Sequence, residues 1–322
     1  MISKWYIFGA LFLLFVFGFD YYNNTAKEYY NSGNQAYDQG NYNQAILEYT
    51  KAIAINPNYV AAYSNRGDAY NAQGNFTEAI SDCTKAIEIN PNAKYIEIAY
   101  NNRGNAYNGQ GNFTQAISDY NKAIEINPQY ARAYLNRGGV YNRQGNITQA
   151  IFDTNEAIEI DPNFVEAYSN RGSYYMEQGN SNQAMLDYTK AIEINPDFAQ
   201  AYYGRGNSYF KQNNLSQTIS DYTKAIEINP NYAEAYYSRG IANDKQGFYD
   251  LAITDSTRAI ETSSDNALTA DGYETRAVEY FHNKEYSESW ADVHKAEALG
   301  YKPDKEDLEF LDMLNQASGS DK

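Results

Sequence analysis

The eight residues Tyr100 to Tyr107, YNNRGNAY, place three asparagines, one arginine and one glycine within about two helical turns. Amides carry donors and an acceptor that can read a peptide main chain, and a guanidinium is a planar fork for a carboxylate or a phosphate. The arginine recurs as Arg66, Arg103, Arg137, Arg171, Arg205, Arg239 and Arg276. Sixteen residues after each stands an aspartate: Asp82, Asp119, Asp153, Asp187, Asp221, Asp255 and Asp292. The first unit lacks both and carries Ser32 and Glu48 in those slots. A phosphate-binding or catalytic arginine needs no aspartate at a fixed distance, whereas a half-buried charge does, so the spacing predicts seven structural ion pairs.

The amides recur as well. Asn31, Asn65, Asn102, Asn136 and Asn170 occupy one slot in successive units, followed by Gly204 and Ser238. At 100° per residue Asn102 and Asn105 project about 200° and 140° from Tyr100, away from the apolar stripe of their own helix. They are expected on a polar face, either as a ladder that holds peptide main chain or as a plain solvated surface. Other chemistry is sparse. Cys83 with His282 and His294 makes no convincing zinc set, and no catalytic constellation, phosphate loop or metal cluster stands out. No cofactor, no metal and no enzymatic activity are expected.

The elements that must position these residues follow from the period. Gly33, Gly67, Gly104, Gly138, Gly172, Gly206 and Gly240 are separated by 34, 37, 34, 34, 34 and 34 residues, and Ala277 lies 37 further on. Each unit holds two helical stripes, such as Tyr100, Gly104 and Tyr107 and then Ala116, Tyr120 and Ala123. Gly111 turns the chain between them with a left-handed residue, a role Asn213 takes in the sixth unit. Asn75, Asn112, Asn146 and Asn214 each precede Glu or Gln by three and read as helix caps, although they also start Asn-x-Thr/Ser triplets. Pro128 closes the second helix, and pairs such as Lys122 with Glu125 form its solvated face.

These slots resemble the tetratricopeptide repeat family, with Tyr100, Arg103-Gly104, Tyr107, Ala116, Tyr120, Ala123 and Pro128 at its signature positions. Tyr in place of Trp at the first slot and Arg in place of Leu before the glycine depart from its pattern. The resemblance implies an all-α fold, an α-solenoid of tandem helical hairpins wound as a right-handed superhelix. Eight repeats are expected at 26–59, 60–96, 97–130, 131–164, 165–198, 199–232, 233–269 and 270–302. A capping helix at 303–316, carrying Leu308, Leu311 and Leu314, and a frayed tail at 317–322 complete the chain. In this family the first helices line a concave groove that binds extended peptides or partner helices, which makes the asparagine slot the candidate site. A carboxylate clamp is poorly matched, because Tyr30, Ile98 and Asn102 stand where basic residues are needed.

Acidic residues outnumber basic ones by 41 to 25, for a net charge of −16, which argues against nucleic acid and anionic lipid surfaces as partners. One long apolar run, Trp5 to Phe19, follows Lys4. It leads to the expectation that residues 1–25 form a membrane anchor or a cleaved signal peptide, with the repeats outside the cytoplasm, membrane-tethered or, after cleavage, secreted or periplasmic. The function expected is that of a scaffold for a protein or peptide partner. Self-association through Tyr30, Tyr203 and Tyr237, or service as the targeting subunit of an enzyme complex, are the alternatives.

Overall fold

The structure, a computed structural model, describes residues 24–302 and 305–320. Among the described residues every regular element is helical, and consecutive helices form hairpins. The apolar run at Trp5 to Phe19, and the anchor or signal reading placed on it, lie outside the described residues. No helix among the described residues is long and apolar enough to cross a membrane.

The chain divides into two compact units, at 162/163. The first holds α1 (24–38), α2 (Tyr42–Ile55), α3 (Val60–Ala72), α4 (Phe76–Ile89), α5 (Ile96–Gly109), α6 (Phe113–Ile126), α7 (Ala131–Arg143) and α8 (Ile147–Ile160). The second holds α9 (Val165–Glu177), α10 (Ser181–Ile194), α11 (Ala199–Lys211), α12 (Leu215–Ile228), α13 (Ala233–Lys245), α14 (Tyr249–Thr262), α15 (Asn266–His282), α16 (Tyr286–Ala298) and α17 (Lys305–Ser320). Odd-numbered helices up to α15 open the hairpins and even-numbered ones close them.

The third hairpin shows why these residues make these elements. On α6, Ala116, Tyr120 and Ala123 recur at helical spacing and are fully buried. Gly111 adopts φ +76°, and Asn112 N–H reaches back to Tyr107 C=O at 2.8 Å, closing α5 with a six-to-one bond that a left-handed residue permits. Asn213 makes the same turn at φ +56° without a glycine. After α6, Asn127 accepts from Gln129 N–H at 3.1 Å, and Pro128 cannot continue the helix. Caps vary. Asn146 and Asn214 accept from Gln149 N–H and Gln217 N–H, but the amides of Asn75 and Asn112 turn to the side chains of Gln73 and Gln110 instead, so the expected side-chain cap is missing there. The two insertions are absorbed differently. The first lengthens the α4–α5 loop, where Tyr95 takes φ +67°, and the second extends α15 by one turn.

Beyond sequential neighbours, contact within each unit runs between first helices: α3 with α5 and α5 with α7, then α9 with α11 and α13 with α15. First helices therefore lie on the inner side of each unit. At the C-terminal end, Phe310 and Leu314 of α17 are buried against Ala277 and Val293, and Phe281 meets Phe310 edge-on. Leu311 is half-buried, and the Leu308 side chain lies outside the described residues. The helix runs from Lys305 to Ser320, past the 303–316 expected for it.

Candidate functional site

Each arginine of the seven pairs lies on a first helix and points at the second helix of the same hairpin. Arg103 donates from Nε and Nη2 to Asp119 Oδ2 and Oδ1, both at 2.8 Å. The same two-bond fork joins Arg66 to Asp82, Arg137 to Asp153, Arg171 to Asp187, Arg205 to Asp221, Arg239 to Asp255 and Arg276 to Asp292. Arg103 retains 18% of its side-chain exposure and Asp119 8%, so both are largely withdrawn from water and must neutralise each other. Hydrogen bonding to Asp119 raises the Arg103 pKa further above its already high ordinary value, against the opposing effect of burial.

A third contact is not visible in the spacing. Arg103 Nη1 donates to Thr84 of the preceding hairpin at 3.1 Å, and Arg66, Arg239 and Arg276 reach Thr50, Thr223 and Thr257 in the same way. The guanidinium carbon also lies 5.5 Å from the Tyr100 ring centroid, one helical turn earlier. One side chain therefore ties together its own helix, its hairpin partner and the neighbouring repeat, which leaves these arginines and aspartates engaged in the scaffold.

The asparagine slot is built differently from the expectation. Asn102 is 3% exposed, with Nδ2 donating to Ser64 C=O of α3 at 3.3 Å. The angle from Tyr100 is as reckoned, but the preceding first helix covers that face. Asn65 Nδ2 donates to Tyr30 Oη and Asn34 Oδ1 at 3.0 and 2.9 Å, and Asn136 Nδ2 donates to Asn101 and Asn105 Oδ1 at 2.9 and 3.0 Å. The slot thus stitches successive first helices. Asn31 is exposed and Asn170 half-buried. Tyr30, Tyr203 and Tyr237 belong to the same stitching rather than to an exposed patch. They are half-buried, Tyr203 and Tyr237 meeting Ser238 and Thr275 of the next repeat.

Sequence reasoning also misses a tyrosine that crosses the hairpin. Tyr49 and Tyr120 start on second helices, and their hydroxyls donate to Asn34 and Asn105 Oδ1, both at 2.8 Å, on the first helices. The glycines make room, since a Cβ at Gly33 or Gly104 would sit 2.5 or 2.7 Å from the ring. The sequence signal is a coincidence of types: tyrosine at 49, 120 and 222 accompanies Asn34, Asn105 and Asn207, and Tyr188 accompanies Ser173, whereas Cys83, Thr154 and Ser256 accompany Asp68, Gly139 and Ile241. With their oxygens taken up by Tyr and Asn donors, Asn34 and Asn105 keep NH2 groups that bond to nothing among the described residues and are not buried. Asn65 and Asn136, their donors used, keep an oxygen in the same state. Donor and acceptor stand side by side twice on the inner side of the first unit.

Beside the first of these pairs opens a cleft of about 270 Å³ lined by Asn34, Tyr37, Asp38, Tyr49, Asn65 and Asp68. Tyr37 Oη donates to Asp68 Oδ2 at 2.9 Å. Burial raises the Asp68 pKa, with the Tyr37 hydrogen bond and Arg132 opposing it.

The family model described as TPR repeat matches residues 33–74, 104–145, 172–213 and 206–247. Models described as Tetratricopeptide repeat match 60–93 and 131–164, and 154–185. The chain belongs to the tetratricopeptide repeat family. Proteins of tetratricopeptide repeats are in general interaction scaffolds rather than enzymes, and they bind protein or peptide partners. Solved structures share the fold. A chain of the APC/C hetero-tetramer Cut9–Hcn1 is 17% identical over 88% of this chain and 54% of that one, with a TM-score of 0.67. PilF of Pseudomonas aeruginosa is 19% identical over 67% and 97%, with a TM-score of 0.61. A tetratricopeptide repeat protein of Parabacteroides merdae is 20% identical over 80% and 98%, with a TM-score of 0.57. At these identities the likeness concerns the fold alone, and the present chain spans about half the length of the Cut9–Hcn1 chain it matches, 54%. No curated protein sequence matches the chain.

Proposed function

We propose that this tetratricopeptide repeat protein is a scaffold that holds an extended segment of a partner protein along the inner side of its first helices. The observation that carries this reading is the pair formed by the Asn34 donor and the Asn65 oxygen, repeated by Asn105 and Asn136 two hairpins further on. An extended main chain offers alternating C=O and N–H groups, and an adjacent donor and acceptor satisfy both without selecting a side chain. Fixing the amides through Tyr49 and Tyr120 removes the ordering cost that a free asparagine would bring to binding.

The same proposal places the repeats outside the cytoplasm, with residues 1–25 as anchor or signal; the basis is the apolar run at Trp5 to Phe19 behind Lys4.

The experiment is capture of partners by the full chain and by a variant carrying Asn34→Ala, Asn105→Ala and Asn31→Ala. Loss of a specific partner with unchanged helical circular dichroism supports the inner side as the site. Retention of every partner places the site elsewhere.

A further inference from the structure

The cleft beside Asn34 and Asn65 has a chemistry of its own. At about 270 Å³ it is smaller than the roughly 300–1,000 Å³ that holds a drug-sized ligand, and so matches one side chain rather than a free metabolite. Its polar groups favour positive charge. Asp68 is half-buried, its Oδ2 occupied by Tyr37, and its Oδ1 bonds to nothing among the described residues. Asp38 stands exposed at the rim with no ion pair among the described residues, and Asn65 adds an oxygen. The aromatic rings of Tyr37 and Tyr49 complete the wall.

We propose that this cleft takes a lysine side chain of the bound segment, its ammonium meeting Asp68 Oδ1 with Asp38 close by. This inference rests on the reading of the inner side as a peptide-binding surface. Lysine is favoured over arginine by the occupancy of Oδ2. A guanidinium gains most from gripping both carboxylate oxygens, whereas a compact ammonium needs one. Desolvation of Asp68, which raises its pKa, leaves a carboxylate that a buried cation would relieve. Arg132 of α7 acts on Asp68 through space, and a bound lysine adds to that field at contact distance.

The test uses the full chain and three blocked dodecapeptides of glycine and serine, identical except for lysine, arginine or norleucine at the centre, with affinities measured by isothermal titration. The lysine peptide is expected to bind about tenfold or more tighter than the norleucine peptide, as a charge-assisted hydrogen bond provides. Asp68→Asn, which keeps an acceptor for Tyr37, abolishes that preference. Tyr37→Phe frees Oδ2 and raises arginine relative to lysine. Equal binding of the lysine and norleucine peptides, or a lysine preference that survives Asp68→Asn, overturns the inference. If the two bind equally and both are weakened by Asn105→Ala, the peptide-binding surface stands and only the lysine assignment falls; if none binds, both fall.

Discussion

Arg103 and Asp119 face each other across one hairpin through two parallel hydrogen bonds of 2.8 Å, and the arginine's remaining nitrogen reaches Thr84 in the hairpin before. Breaking this arrangement from one side strands a charge. Asp119→Ala alone should destabilise the first unit by roughly 3 kcal/mol or more, whereas Arg103→Leu with Asp119→Leu should cost much less. Urea unfolding followed by circular dichroism measures both, and equal losses for the single and double changes would contradict a buried structural pair.

The link to the neighbouring repeat is separable from the pair itself. Thr84→Val removes the acceptor of Arg103 Nη1 and should cost about 0.5–1.5 kcal/mol in the same unfolding measurement. The effect should vanish in the Arg103→Leu/Asp119→Leu background, where no guanidinium remains to be bonded.

Gly104 is held by the ring that crosses it. A Cβ there would lie 2.7 Å from Tyr120 Cε1, so Gly104→Ala should cost roughly 1–3 kcal/mol through overpacking. Tyr120→Leu in the same chain should recover part of that loss by removing the ring, and would also release Asn105. A purely conformational effect of glycine would leave the two changes additive.

Glu279 on α15 gives the second unit a pH dependence. It is 1% exposed; Ser256 donates to its Oε1 at 2.8 Å, and Oε2 has no partner among the described residues. Burial, with Asp244 and Asp255 adding to it, pushes its pKa from 4.5 up to about 8, against the Ser256 bond and Arg276. Between those values the unfolded chain has released the proton while the folded chain keeps it. Stability from this group is thus complete below pH 4.5 and is lost as pH rises through about 8. Thermal unfolding of the wild type should show a falling midpoint over that window that Glu279→Gln flattens. Parallel profiles for the two proteins would contradict the raised pKa.

Much of the scaffold is written in the sequence because it is written repeatedly. Arg103 and Asp119 can be paired from residue types and spacing alone, since seven units carry both residues and the first carries neither. The inner side is harder to read. Projecting Asn102 on a helical wheel places it away from its own hairpin core, but a wheel has no knowledge of α3, which buries that amide against Ser64. Tyr120 reads as core alone, because nothing in a single unit shows that its hydroxyl emerges past Gly104 to orient Asn105. Only comparison between units, tyrosine with Asn105 but Cys83 with Asp68, carries that information. The helix expected at 303–316 runs on to Ser320, following Phe310 and Leu314, which secure α17 to the last hairpin.

The central claim is that the inner side of the first helices holds the partner, and site-specific photocrosslinking tests it most directly. A photoreactive benzoylphenylalanine replaces Asp38 on the inner side or, in a second protein, Lys122 on the exposed side of α6. The full chain is irradiated in extract from its native source. The account predicts a discrete covalent adduct from position 38, abolished by Asn34→Ala with Asn105→Ala, and none from position 122. An adduct from position 122 with none from position 38 would contradict it.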